Sequence, residues 1–153
     1  MIRISPAYVF YSMLLIFSIN SHARSSAVSI VENKEVSTCV GKRDRNDSEC
    51  LRSLSARTEK TLNAAYREKT KEISNYDFSQ WWMGEQKQRD AMQSAFNRSQ
   101  EAWLKYRQDY CKAASAGAEG TDSYGAIVLS CEINMAIRRI EEIRMIHPDL
   151  SDG

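Results

Sequence analysis

The stretch MQSAFNRSQEAWLKYRQDYCKA, residues 92–113, decides the fold. Its bulky residues return every three or four positions, which is the spacing of one face of an α-helix. The positions of that face are Met92, Phe96, Ser99, Trp103, Tyr106, Tyr110 and Ala113. Neither Gly nor Pro interrupts the stretch. The pattern predicts a long helix over about residues 85–115.

The same period predicts one helix before this stretch and one after it. The earlier helix covers about residues 48–75, with apolar positions at Leu51, Leu54, Leu62, Ala65, Ile73 and Tyr76. Asn46 and Glu49 resemble a capping box at its start. The later helix carries Ile127, Val128, Cys131, Ile137, Ile140 and Ile143. We expect Thr121 or Asp122 to cap it, and we expect it to end before His147-Pro148.

Two short links separate these helices. Residues 76–84 (YDFSQWWMG) are aromatic and punctuated by turn residues, and residues 116–123 (AGAEGTDS) contain two glycines and no bulky side chain. Short links make neighbouring helices antiparallel. The sequence therefore predicts an all-α, up-and-down bundle of about three main helices.

The chain begins with the pattern of a secretory signal peptide. Arg3 precedes an apolar stretch over residues 7–19, and Ser21-His22-Ala23 supplies small residues for cleavage after Ala23, with Ala27 as the alternative. We divide the rest into a partly extended N-terminal arm (24–45), a helical domain (46–147) and a tail (148–153). The mature chain contains no apolar run that would span a membrane.

Four cysteines lie in the mature chain: Cys39, Cys50, Cys111 and Cys131. An even number in an exported chain indicates two disulfides rather than a metal site. The bundle brings all four to one end, so three pairings stay open. The shortest closures are Cys39–Cys50 and Cys111–Cys131.

Charge and residue chemistry narrow the function. Removing Arg3 leaves 20 basic against 20 acidic residues, so no net basic surface favours nucleic acid. With the cysteines oxidised there is no thiolate nucleophile. The carboxylates that could form a glycosidase pair, Glu85, Asp90, Glu101 and Asp109, lie among Lys and Arg as on solvated helix faces. We expect no catalytic residue, no metal and no cofactor.

Two segments are candidate partner-binding sites. Trp81 and Trp82 are adjacent in a link and cannot both enter one core, so they either form an interface or cap the bundle end. Glu119, Asp122 and Ser123 lie in a small polar loop behind the second cysteine pair. A loop that a disulfide holds in place loses less conformational entropy when it inserts into a partner. An ordinary helix connector would have a similar composition.

Trp103, Tyr106 and Tyr110 could line a ligand groove, but we interpret them as core residues. Arg107 lies one turn from Trp103. It could recognise a ligand, but we expect it to close a polar network or to pair with Asp109 or another carboxylate.

The order of these residues resembles the LprI-type lysozyme inhibitor family. Cys39 and Cys50 precede LNAAY (62–66), then SQEAWLKYR (99–107) with Gln100, Trp103, Tyr106 and Arg107, then Cys111 and Cys131. The resemblance covers about residues 39–144. It implies a helical fold with two disulfides, an exported protein and inhibition of lysozyme; it assigns no inhibitory residue.

Our first hypothesis is an exported lysozyme inhibitor that blocks a muramidase cleft by protein–protein contact. The partner would be lysozyme or another cell-wall hydrolase. The alternatives are a periplasmic immunity module for a different cell-wall-targeting protein, and an envelope stress or structural protein without an enzyme target.

Overall fold

The computed structural model describes residues 33–41, 47–80 and 84–148, and the described residues form an all-α fold. The helices are α1 (Lys34–Val40), α2 (Asp47–Asn75), α3 (Gln86–Ser115) and α4 (Tyr124–Arg144). Short 3₁₀ turns at Phe78–Gln80 and Ala116–Ala118 lie in the two links. No strand occurs in these ranges. The predicted all-α bundle is confirmed, with one more helix than the three main ones expected.

The additional helix is α1, so the prediction of an extended arm is wrong over Lys34–Val40. Asn33 Oδ1 accepts hydrogen bonds from the backbone N–H groups of Glu35 (2.9 Å) and Val36 (3.4 Å), which caps the helix start. Val36 and Cys39 are buried one turn apart. The proposed signal peptide and the expected cap residue Asn46 lie outside the described residues.

The three long helices run up, down and up. Leu51 at the start of α2 packs in one apolar cluster with Leu129 from the first half of α4. Near the other end of α2, Lys69 Nζ donates to the Ile146 carbonyl just beyond α4, at 2.5 Å. These contacts make α2 and α4 parallel. Tyr66 of α2 donates its hydroxyl proton to Asn97 Oδ1 of α3 at 2.9 Å, and α3 runs antiparallel between the two links.

The core divides into two apolar clusters. The larger joins α2, α3 and α4 and contains Leu62, Ile73, Phe96, Trp103, Cys111, Met135, Ala136, Ile140 and Ile143. The smaller joins α1, the start of α2 and α4 and contains Val36, Cys39, Leu51, Leu54 and Ile133. Both clusters therefore depend on α4, which is the most apolar of the long helices.

Both disulfides close locally, as the shortest closures predicted. Cys39–Cys50 joins α1 to α2 across a separation of 11 residues, and Cys111–Cys131 joins α3 to α4 across 20 residues. Cys111 and Cys39 are buried, so each bridge is also part of the core. The structure contains no free cysteine among the described residues.

The residue at the N-cap of α4 is not one of the two expected from the sequence. Helix α4 follows Ser123, which makes no side-chain cap hydrogen bond, so neither Thr121 nor Asp122 occupies the cap position. The Thr121 hydroxyl donates instead to the Ala118 carbonyl at 2.7 Å, within the turn that follows the 3₁₀ helix.

Within the described ranges, none of the helices combines the length and the apolar character that a membrane crossing requires.

Candidate functional site

Three of the four family-motif residues lie inside the bundle. Gln100 and Trp103 are 8% and 9% exposed. The buried guanidinium of Arg139, on α4, donates from Nε to Gln100 Oε1 and from Nη2 to Ser99 Oγ, both at 3.0 Å. Its Nη1 donates to Glu142 Oε2 at 3.1 Å. The motif segment 99–107 therefore supplies two of the three polar partners of this buried arginine.

The third inward motif residue, Arg107, joins α3 to α2. Its Nη1 donates to Glu59 Oε1, a partner 48 residues away in sequence. The expected polar pairing is therefore found on α2, while Asp109 pairs with Lys105 at 3.2 Å. The guanidinium carbon of Arg107 lies 4.9 Å from the Trp103 ring centroid, and that of Arg139 lies 5.7 Å from it. Two arginines thus pack against one tryptophan and tie three helices together.

The fourth motif residue, Tyr106, faces solvent. It is 54% exposed, and Tyr110, one turn further, is 37% exposed. Their ring centroids are 5.7 Å apart in a tilted arrangement. The interpretation of Trp103, Tyr106 and Tyr110 as core residues is right for Trp103 and wrong for both tyrosines. The helical period placed all three near one face, and the two tyrosines lie at its solvent edge.

The predicted loop site is at the disulfide end of the bundle. Glu119, Asp122 and Ser123 are all exposed. Backbone hydrogen bonds order the loop, with Glu119 N donating to Ala116 O at 3.1 Å and Tyr124 N to Thr121 O at 3.2 Å. In the described part of the chain neither Glu119 nor Asp122 forms an ion pair. The loop presents two unpaired carboxylates on an ordered backbone.

A groove joins this loop to α3. It has a volume of about 310 Å³ and is lined by Asp109, Lys112, Ala113, Ala116, Glu119 and Tyr124. The sequence identified Glu119 but did not show that Asp109 and Tyr124 line the same groove, because no local pattern shows which faces of α3 and α4 approach each other. It also missed Glu59 and Arg139 as partners of the motif. Trp81 and Trp82 lie outside the described residues, so their prediction is not tested.

Three carboxylates near and on α3 pair with neighbouring basic side chains. Asp90 and Asp109, two of the carboxylates considered for a glycosidase pair, each form an ion pair on α3, with Arg89 and Lys105. Glu85, just before α3, pairs with Lys87. No group of three or more His, Cys, Asp or Glu side chains is placed for metal binding in the described ranges.

Comparison with known proteins identifies the family. The family model described as "Lysozyme inhibitor LprI" matches residues 39–143, which is more than half of the chain. The match begins at the first cysteine and ends at a core residue of α4, so it contains both disulfides, the buried arginine–tryptophan network and the acidic loop. Neither a curated protein nor a solved structure matches the chain. The chain belongs to the LprI lysozyme inhibitor family.

Proposed function

We propose that this protein is an exported lysozyme inhibitor that blocks a muramidase active-site cleft by protein–protein contact. The observation that carries the proposal is the family match over residues 39–143. A family described as lysozyme inhibitors makes a lysozyme the expected partner. The inhibitor would act by binding, without catalysis and without a cofactor.

The acidic loop supports this mechanism. Animal-type lysozymes are basic, so carboxylates on an inhibitor favour the encounter and the correct orientation. Glu119 and Asp122 are exposed and free of ion pairs among the described residues, and so they keep their charge available for a partner. The loop is braced by Cys111–Cys131, which lowers the entropy lost on insertion into a cleft. With a near-neutral total charge, long-range steering would be weak, and the local acidic surface would dominate.

Export supports the same proposal. The predicted signal peptide over residues 1–23 would deliver the mature chain to the periplasm or the medium, where an incoming lysozyme attacks the cell wall. The two disulfides suit an oxidising compartment. Trp81 and Trp82 stay candidates for a second contact with the partner.

The direct test is inhibition by the oxidised mature protein, residues 24–153. It would be titrated into a fixed amount of animal-type lysozyme while cell-wall lysis is followed by turbidity, with a bacterial lysozyme in parallel. We expect lysis to fall to zero near one equivalent of inhibitor. Heat-denatured and fully reduced samples are the controls, and neither should inhibit.

Absence of inhibition by protein with the circular dichroism of a helical fold would contradict the proposal. A neighbouring toxin gene would then favour an immunity module for another cell-wall-targeting protein. Induction by envelope stress without a bound hydrolase would favour a stress or structural role.

A further inference from the structure

We propose that the groove between the end of α3 and the start of α4 receives a lysine or arginine side chain of the partner, with Tyr106 and Tyr110 as the aromatic contact beside it. This inference rests on the proposed function in taking the partner to be a lysozyme. It adds a defined contact surface and the chemical group that this surface recognises.

The residues that line the groove match a long cationic side chain. Ala113, Ala116 and Tyr124 provide apolar atoms, and Asp109 and Glu119 provide carboxylates. Lysine and arginine have the same division, with an apolar stem and a charged head. The Tyr124 ring adds a surface over which a cation can lie. An anionic or wholly apolar ligand would leave Glu119 without a partner.

The charges at this end favour a cation. From Ala113 to Ile137 the chain contains no lysine or arginine, while it contains Glu119, Asp122 and Glu132. Lys112 lines the groove, and Asp109 pairs with Lys105. Both side chains of that ion pair are exposed to solvent, so the pair is weak. Asp109 can therefore exchange Lys105 for a cation of the partner. Glu119 is in no ion pair within the described ranges and is the main anchor.

The exposed tyrosine pair lies on α3 close in sequence to the groove residues Asp109 and Ala113. Positions 106, 110 and 113 follow the i, i+4, i+7 spacing, so the two rings lie on the same helix face as the groove residue Ala113. Neither hydroxyl donates or accepts a hydrogen bond within the described part of the chain, and the core does not use either ring. Exposed, rigidly mounted tyrosines are typical anchors of protein interfaces.

The surface is held in shape before any partner arrives. Tyr106, Asp109 and Tyr110 project from the C-terminal half of a 30-residue helix, and Cys111–Cys131 fixes that half to α4. Binding then orders side chains but not backbone, which favours affinity.

The test compares variants at the proposed surface with variants at other exposed residues of α3. Glu119→Gln and the double variant Tyr106→Ala/Tyr110→Ala alter the proposed surface. Glu101→Gln and Leu104→Ala are the matched controls, because both side chains are exposed and neither lines the groove. The dissociation constant for an animal-type lysozyme would be measured by calorimetry at two salt concentrations, with thermal unfolding to show that each variant is folded.

We expect each surface variant to weaken binding by about tenfold or more, and each control to stay within about twofold of the unmodified protein. Glu119→Gln should also reduce the salt dependence of binding, because one charge pair is lost. Unchanged affinity in Glu119→Gln and in the tyrosine double variant would overturn the proposal.

A second measurement separates this inference from the proposed function. A nona-arginine peptide would be titrated into ¹⁵N-labelled protein at low salt, and amide shifts would be mapped. We expect the largest shifts at residues 106–124, and their loss in Glu119→Gln but not in Glu101→Gln. If the protein inhibits no lysozyme but shows these shifts, the proposed function fails and the cation-binding surface stands. Shifts spread evenly over the molecule, or centred elsewhere, would overturn the surface.

Discussion

Arg138 and Arg139 are neighbours in α4, yet their environments differ. The Arg138 side chain is 54% exposed, whereas that of Arg139 is 11% exposed, and both reach Glu142. Only Arg139 also donates to Gln100 and Ser99. The same residue type therefore forms a solvated ion pair at one position and joins α4 to α3 at the next.

This contrast predicts different costs for the same substitution. Arg139→Met should lower the free energy of unfolding by about 2 kcal/mol, because it leaves Gln100 Oε1 and other polar atoms without their donor. Arg138→Met should change it by no more than about 1 kcal/mol, since exposed ion pairs contribute little. Urea unfolding monitored by circular dichroism measures both. Equal losses in the two variants would show that the buried network is not a stabilising unit.

Asp77 offers a titration test in the α2–α3 link. Hydrogen bonds from the Ser79 hydroxyl (2.6 Å) and the Ser79 backbone N–H (2.9 Å) to its Oδ1 lower the pKa of Asp77 below its ordinary value of 3.8. Because this pKa is depressed in the folded protein, the associated stability is present above pH 3.8 and is lost as the pH falls through the folded pKa. Ser79→Ala should raise the pKa of Asp77, as measured by carboxyl NMR titration. Ser74→Ala, whose hydroxyl donates to the Lys71 carbonyl, should leave it unchanged.

At the scale of the element, α1 is the segment that depends most on its attachment. Its seven residues are too few for a helix to be stable alone. It is held by the burial of Val36 and by the Cys39–Cys50 bridge to α2. In contrast, α3 and α4 share a long packed interface in addition to their disulfide.

Removing the first bridge should therefore release α1 and leave the rest folded. In Cys39→Ala/Cys50→Ala we expect a loss of about 3 kcal/mol in unfolding free energy. We also expect hydrogen exchange over residues 34–40 as fast as in a free peptide, with α2 to α4 still protected. Exchange followed by mass spectrometry measures this. In the control variant Cys111→Ala/Cys131→Ala, α1 should remain protected from hydrogen exchange relative to the other helices. If α1 stayed protected in Cys39→Ala/Cys50→Ala, its dependence on the first bridge would be refuted.

At the scale of the whole molecule, the fold was largely predictable from the sequence. The three long helices have strong periods and clear breaks, so the predicted range 85–115 differs from α3 by one residue. The short closures of both disulfides follow from helices that meet at one end. Helix α1 was missed because seven residues carry only two buried positions, 36 and 39, and two positions establish no period.

The candidate site was predictable only where it is local. The composition of residues 116–123 marks Glu119 and Asp122 as an exposed loop without knowledge of the fold. The groove and the Arg107–Glu59 pair depend on how α2, α3 and α4 approach each other, and they join residues that are far apart in sequence. The exposure of Tyr106 and Tyr110 has the same origin, because a helical period does not show where the neighbouring helix ends its contact.

If the α3–α4 loop carries recognition, as proposed, the residues that recognise a partner are separate from those that hold the fold, and this has an evolutionary consequence. A Cβ added at Gly117 would meet no atom within 4 Å, and Glu119 and Asp122 are exposed. These positions can drift or be randomised in a display library while the two disulfides and the buried arginines keep the scaffold. Gly120 is the exception, because its φ of +83° disfavours any residue with a side chain. A lineage could thus exchange one target for another through a few substitutions in the loop, with Gly120 retained.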